Sequence, residues 1–198
     1  MEVEGQGRKP PQSVLVEITP AEVEMCHAFA VRCSRLRSYA GSSGWKGGLV
    51  DGMRMLGGID VDATHAGIVI GKVGEMAICK LASVPVDLAL KDRGDGGKDL
   101  PLPSGSVQVK TSTRRFRTRL IRNPIERCDW FVFATWDGLC HEVSIDGYVS
   151  RAVLDRLANV PSRAKSSKAG SWMNKEIDTS SLLPIRQLLK IRPISEVL

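Results

Sequence analysis

The sequence predicts an α/β fold in which helices flank a central mixed β-sheet. Two stretches in the first half, 20–39 and 66–82, carry apolar residues at helical spacing. Three later stretches, 84–91, 99–112 and 130–148, show alternating or short apolar runs that are typical of strands. Because helices come first and strands and short helices follow, we expect one α/β layer structure around a mixed sheet.

Length and composition favour one domain. The chain has 198 residues, enough for a sizeable single core. Residues 1–12 are polar and end at a Pro-Pro pair, so they predict a disordered tail before a domain at 13–198. That start lacks the apolar core of a signal peptide, and no run of 18 apolar residues predicts a membrane span. We therefore expect a cytoplasmic protein without a membrane partner.

The first elements follow from capping and glycine content. Residues 13–18 predict a short strand, and Thr19 followed by Pro20 is a helix start, with a helix to about Tyr39. Residues 41–58 contain seven glycines and predict a mobile loop with one helical turn near 49–56.

The central elements are predicted from spacing. Residues 66–82 predict a helix, and 84–91 alternate as a half-buried strand. A loop of turn residues at 91–99 leads to antiparallel strands at 99–102 and 106–112.

The last third predicts a hairpin followed by short elements. An apolar strand at 130–136 returns after Asp137-Gly138, and its aromatic residues are expected in the core. Ser150 is expected to cap a short helix. The remaining predictions are a flexible basic loop at 161–171, a strand near 172–177 and a helix at 181–189.

Residue types that suit metal-dependent phosphodiester hydrolysis lie in the centre of the chain. Asp99 opens a strand, Glu75 lies on the preceding helix, and Gln108, Val109 and Lys110 follow on the next strand. Carboxylate, amide and carbonyl oxygens are the hard ligands that Mg²⁺ prefers, and Mn²⁺ can substitute. A lysine on the same face would orient the attacking water and stabilise phosphate charge. The alternatives stay open: Glu75 could be a solvated helix residue and Lys110 an edge-strand lysine.

These residues resemble the PD-(D/E)xK nuclease superfamily. The segments G-K-V-G-E, G-D-G-G-K-D and Q-V-K-T-S match its helix glutamate, its aspartate and its (D/E)-x-K triplet. The resemblance covers about residues 66–190, and the layout is similar to that of small endonucleases of phage and prophage type. It implies a restriction-endonuclease-like core and a Mg²⁺-dependent deoxyribonuclease. It also implies metal ligation by Glu75, Asp99, Gln108 and the Val109 carbonyl, with Lys110 as the catalytic lysine.

One position departs from the pattern. Residue 108 is glutamine, where the superfamily usually has aspartate or glutamate. Its amide oxygen can still bind a cation, but one negative charge is missing. A weakly active or inactive DNA-binding module of the same fold is therefore the alternative, and a resolvase of branched DNA is a further one. RNA stays open as a substrate, because phosphate chemistry hardly distinguishes it from DNA.

A basic run follows the triplet, in a chain of net charge +6. Arginine forks suit phosphate oxygens, so this run predicts contacts with a nucleic-acid backbone. The competing interpretation is a solvated loop whose arginines pair with acidic residues elsewhere. A homodimer is compatible with cutting both strands. The predicted DNA-binding residues are Arg114, Arg115, Arg117, Arg119 and Arg122.

The five cysteines predict no site. Their spacing includes no C-x-x-C pair, so neither a disulfide framework nor a zinc knuckle is indicated. We expect them to be small buried apolar residues.

Overall fold

The computed structural model describes residues 13–35, 55–61, 63–90, 99–123, 128–161 and 173–190. In chain order the elements are β1 (Val14–Glu17), α1 (Pro20–Ser34), β2 (Met55–Leu56), β3 (Ile59–Asp60), α2 (Ala63–Ala82), β4 (Leu100–Leu102), β5 (Gly105–Ser112), β6 (Thr118–Asn123), β7 (Trp130–Thr135), β8 (Glu142–Ser150), α3 (Arg151–Arg156), β9 (Asn159–Pro161), β10 (Met173–Asp178) and α4 (Ile185–Leu188).

A mixed five-stranded sheet forms the centre of the fold, which confirms the α/β class. Its strand order is β1-β8-β7-β5-β4. The pair β5–β7 is parallel and the other pairs are antiparallel. The connection from β5 to β7 leaves this sheet, because β6 joins β9 and β10 in a separate three-stranded sheet.

Two apolar cores lie on opposite faces of the central sheet. On β7, Val132 and Ala134 belong to the larger core, which includes residues of α1 and α2. Phe131 and Phe133 alternate with them and belong to a smaller core with residues of β6 and β10. Because side chains alternate across a strand, α1 and α2 cover one face, and the three-stranded sheet and Leu154 of α3 cover the other. The expectation that the aromatic residues of this strand are core residues is confirmed for Phe131, Phe133 and Trp136.

Helix α1 begins where its sequence predicts. The Thr19 side chain accepts from the Glu22 amide, and the Glu22 carboxylate accepts from the Thr19 amide in return, which is a capping box. Pro20 takes the first helical position. The helix ends at Ser34, earlier than predicted, and residues 36–39 lie outside the described residues.

A short hairpin replaces part of the predicted glycine loop. Strands β2 and β3 pair through Met55 with Asp60 and Leu56 with Ile59, so the helical turn predicted to extend to residue 56 is wrong there. Gly57 and Gly58 connect them with φ of +57° and +84°. Two consecutive positive φ angles are the requirement of the tight hairpin turn that glycine pairs favour.

The strand predicted at 84–91 is wrong over its described part. Residues 84–90 alternate in exposure but form no strand. Pro85 has no amide hydrogen to donate, and the Ala89 amide donates to the Asp87 side chain at 2.9 Å. Local bonds of this kind replace the ladder bonds that the alternating pattern suggested.

Most of the remaining element predictions are confirmed or lie outside the described residues. The helix predicted at 181–189 is shorter and spans Ile185–Leu188. The predicted strand at 13–18, the helix at 66–82 and the hairpin at 99–112 are confirmed as β1, α2 and β4–β5. The later hairpin β7–β8 and the Ser150-capped helix α3 are confirmed as well. The tail at 1–12, the loop at 91–98 and most of the basic loop at 161–171 lie outside the described residues. No helix among the described residues is long and apolar enough to cross a membrane.

Candidate active site and nucleic-acid interface

Asp99 is fixed to the strand that carries the predicted triplet. Its backbone amide donates to the Val107 carbonyl at 2.9 Å, which extends the β4–β5 ladder by one residue. Its carboxylate Oδ2 then accepts from the Val109 amide at 2.6 Å. The side chain of Asp99 therefore occupies the position where a longer β4 would have continued the ladder.

The Val109 carbonyl faces the same edge as this carboxylate. In a strand the amide and carbonyl of one residue point to the same neighbour. Because the Val109 amide is bonded to Asp99, its carbonyl also points toward the β4 side of β5. Two of the predicted oxygen ligands, the Asp99 carboxylate and the Val109 carbonyl, thus share one edge.

Gln108 follows Val107, which pairs with Leu100 and whose carbonyl also accepts from the Asp99 amide. Its side chain is only 6% exposed. Among the described residues, its buried Oε1 has no hydrogen-bond partner. A buried carbonyl oxygen without a donor is destabilising, and a cation is one group that would satisfy it. The amide oxygen of Gln108 and the oxygens of Asp99 and Val109 are of the type that suits a hard divalent cation.

Lys110 faces a cavity beside β5. The strand register places it beside Phe133 of β7, on the same face as Gln108. The cavity has a volume of about 600 Å³, and Val109, Lys110 and Thr111 contribute to its wall. Consecutive strand residues point to opposite faces, so a cavity that contacts all three extends around the edge of the strand.

Glu75 lies on α2 beside this strand, and its carboxylate is paired with a lysine of the same helix. Gly74, its neighbour in the chain, packs so closely on Thr111 of β5 that a Cβ atom there would lie 1.8 Å from the Thr111 hydroxyl oxygen. The Glu75 carboxylate forms a buried ion pair with Lys72. The Lys72 ammonium also donates to the Asp87 carbonyl at 3.3 Å. Ligation of a metal by Glu75 stays a prediction.

The predicted DNA-binding arginines do not share one environment. Arg114 and Arg117 are exposed, and Arg115 is half-buried. Arg117 forms an exposed ion pair with Asp178 at 3.3 Å. The backbone of Arg122 lies in β6 opposite Asn174. The side chain of Arg122 is not among the side chains that the structure describes.

Arg119 is an interior residue, contrary to the surface position that the basic run suggested. It is 5% exposed and forms a buried ion pair with Asp146 of β8. Its guanidinium also donates to Thr135 of β7 at 2.6 Å and to Ser112 of β5. Burial lowers the pKa of Arg119, and the charge of Asp146 opposes that shift. Its described bonds join the three-stranded sheet to three strands of the central one.

Asp146 was not predicted as part of any site. It is the extra residue of a β-bulge, because Phe133 pairs with Gly147 while Ala134 pairs with Ile145. Both carboxylate oxygens are used, by Thr135 at 2.7 Å and by Ser144 at 3.1 Å. A charged residue followed by glycine inside an apolar strand is the sequence signal that could have indicated it.

The thiols give no sign of a reactive or metal-binding site. Burial raises the pKa of Cys26 to about 12 and that of Cys79 to about 11, which keeps both protonated. The expectation of buried cysteines is confirmed except at Cys140, which is exposed. Among the described residues no group of three or more histidine, cysteine, aspartate or glutamate side chains is placed to hold a metal ion. The amide oxygen of Gln108 and the backbone oxygen of Val109 are ligands of other types, so they do not belong to such a group.

Comparison with known proteins adds no relative. No protein-family model, curated protein or solved structure matches the chain.

Proposed function

We propose that the protein is a metal-dependent endonuclease that hydrolyses phosphodiester bonds in DNA, as the resemblance to the PD-(D/E)xK superfamily implies. The observation that carries the proposal is the bond from the Val109 amide to the Asp99 carboxylate at 2.6 Å. It fixes an acidic side chain to the triplet strand, at an edge that borders a cavity containing Lys110.

Asp99, the Val109 carbonyl and Gln108 would hold the cation. A divalent cation bound here would lower the pKa of a water and stabilise charge on the phosphate. Asp99 supplies the negative charge, and Gln108 supplies a buried oxygen that lacks a partner among the described residues. Glu75 would join this set from α2, where its ion pair with Lys72 would compete with the cation.

Lys110 would orient the attacking water and the phosphate. Its half-buried side chain contributes to the wall of the cavity, where a lysine charge is less screened than in bulk water. A positive charge fixed beside developing phosphate charge lowers the barrier without reorganisation during the reaction. Arg114, Arg115 and Arg117 follow within a few residues and would bind neighbouring phosphates of the strand. A homodimer would place two such sites on the two strands of a duplex.

The test is nicking of supercoiled plasmid in Mg²⁺ or Mn²⁺, with EDTA as the negative control. Asp99→Ala and Lys110→Ala should each abolish nicking. The unfolding temperature should stay close to that of the wild type for Lys110→Ala, whereas Asp99→Ala also removes the acceptor of the Val109 amide and should lower it. Asp155→Ala and Lys190→Ala, which remove an exposed aspartate and an exposed lysine outside this site, are matched controls and should nick normally. Metal-independent nicking, or nicking that survives both site variants, would contradict the proposal.

A second candidate is a DNA-binding module of the same fold without catalysis. Two observations favour it: residue 108 carries no charge, and Glu75 is already neutralised by Lys72. Retarded plasmid mobility without cleavage in either metal would support this candidate instead.

A further inference from the structure

The cavity beside β5 combines a cationic wall with an apolar one. Its polar side includes Lys110, Thr111, Ser112 and Arg119, and its apolar side includes Phe116 and Leu120. Phe116 is 46% exposed, so it presents an aromatic surface to a ligand. A nucleotide has the same two parts, an anionic phosphate and a flat base.

Two polar atoms of the cavity residues are buried without partners among the described residues. They are the Thr111 hydroxyl oxygen, which lies against Gly74 of α2, and the Arg119 Nε. The other nitrogens of Arg119 are used by Ser112, Thr135 and Asp146, which fix its guanidinium in place. A buried donor without an acceptor lowers the stability of the fold. A small movement that brought the Arg119 Nε–H to a phosphate oxygen would recover a hydrogen bond.

The shape of the site is that of a small-molecule pocket. A volume of about 600 Å³ lies within the range of sites that enclose small ligands. A stacked duplex presents its phosphates on a convex surface and keeps its bases inside, so it cannot put a base into such a cavity. An unpaired nucleotide can do so, because its base is free to stack on an aromatic side chain.

We infer that this cavity takes one unpaired nucleotide of the substrate strand, with its phosphate at Lys110 and Arg119 and its base on Phe116. The inference rests on the proposed function and deepens it, because it makes single-stranded or locally unpaired DNA the substrate class. The scissile phosphate would then be presented to Asp99 and Lys110 by the strand that carries the captured nucleotide.

The test is equilibrium binding in EDTA, which separates recognition from cleavage. The probe is a 3′-fluorescein-labelled 12-nucleotide thymidylate strand, measured by fluorescence anisotropy against the same strand paired with its complement. The wild type should bind the single strand at least about tenfold more tightly than the duplex, because stacking of one base on an aromatic side chain accounts for a difference of that size. Phe116→Ala should remove most of that preference. Leu139→Ala, at a 70% exposed apolar residue in the β7–β8 connection, is the control and should keep it.

A second variant blocks the cavity from the helix side. Gly71 of α2 lines the cavity, and a Cβ added there meets no described atom within 4 Å. Gly71→Leu should fill the space without strain and reduce single-strand binding to the duplex level, with an unfolding temperature no lower than that of the wild type.

The outcomes separate this inference from the nuclease proposal. Equal binding of single strand and duplex, unchanged by Phe116→Ala and Gly71→Leu, would overturn the nucleotide pocket. Plasmid nicking that depends on metal and Asp99 would in that case still support the nuclease. Single-strand preference without metal-dependent cleavage of either the single strand or the plasmid by the wild type would support the pocket and remove the nuclease.

Discussion

The Asp99 carboxylate accepts a hydrogen bond from the Val109 amide at 2.6 Å. Ten residues separate the two along the chain, and the hairpin β4–β5 brings them together. The bond orients one carboxylate oxygen toward the backbone and fixes the side chain at the edge where the Val109 carbonyl also points. The same contact therefore ends the β4–β5 ladder and orients the Asp99 carboxylate.

Gln108→Glu should make the unfolding temperature of the protein depend on a bound metal ion. In EDTA the new buried carboxylate should lower the unfolding temperature, since a buried charge without a partner is unfavourable. With excess Mn²⁺ the variant should gain more stability than the wild type, because a ligand that binds only the folded state stabilises it by mass action. Thermal unfolding with and without Mn²⁺ measures both effects. Gln187→Glu, at an exposed position of α4, is the control, and an equal Mn²⁺ response in the two variants would contradict ligation at Gln108.

Two glycines of α2 should respond oppositely to alanine. At Gly74 the added Cβ would lie 1.8 Å from the Thr111 hydroxyl oxygen, so Gly74→Ala should lower the free energy of unfolding by about 1–3 kcal/mol. At Gly71 the Cβ meets no described atom within 4 Å, so Gly71→Ala should raise it by up to about 1 kcal/mol. Urea unfolding followed by circular dichroism measures both changes. Restoration of stability in Gly74→Ala by a second change, Thr111→Ala, would assign the loss to this contact, and no restoration would refute it.

The buried pair of Arg119 and Asp146 should be strongly coupled. Arg119→Met leaves the aspartate buried without its cation and should destabilise the protein by about 3–5 kcal/mol. The double variant with Asp146→Leu should recover much of that loss, because no unpaired charge remains. Urea unfolding of the two single variants and the double variant gives the coupling energy. Additive losses would show that the two side chains act independently.

The capping box of α1 should add acid sensitivity. Burial opposes ionisation of Glu22, but hydrogen bonds from Thr19 and Lys80 outweigh it and hold the pKa of Glu22 below its usual 4.5. Because the folded pKa is depressed, this contribution is present above pH 4.5 and is lost as pH falls through the lower folded value. Glu22→Gln keeps an acceptor for the Thr19 amide but removes the charge that pairs with Lys80, so it should lower stability at pH 7 and by less at pH 3. Unfolding temperatures of both proteins at the two pH values measure this, and an equal loss at both would exclude the ionic part.

The sequence was sufficient wherever local chemistry decides the structure. Thr19 and Pro20 predicted the start of α1, and the run from Leu100 to Ser112 predicted the hairpin that carries Asp99 and Lys110. The prediction from the sequence was wrong where residues far apart in the chain determine the structure. The alternation at 84–90 is compatible with a strand, but pairing depends on a free neighbouring edge that sequence spacing does not show.

Arg119 shows the same limit within the candidate site. In the sequence it is one of several clustered arginines, and nothing local separates it from Arg117. Its buried state follows from Asp146, 27 residues away, which the β-bulge of β8 turns toward it. The predicted ligands Asp99 and Val109, in contrast, are joined by a hairpin that the sequence already indicated.

The most direct test of the proposed site is Mg²⁺-dependent plasmid nicking by Asp99→Asn. Asparagine preserves the size of the side chain and an oxygen that can accept from the Val109 amide, so the hairpin should stay intact and the unfolding temperature should match the wild type. Only the negative charge is lost. We expect the nicking rate to fall by about 100-fold or more, as the loss of a principal charged group at a phosphoryl site does. Nicking by Asp99→Asn at the wild-type rate would contradict metal ligation by Asp99 and with it the proposed active site.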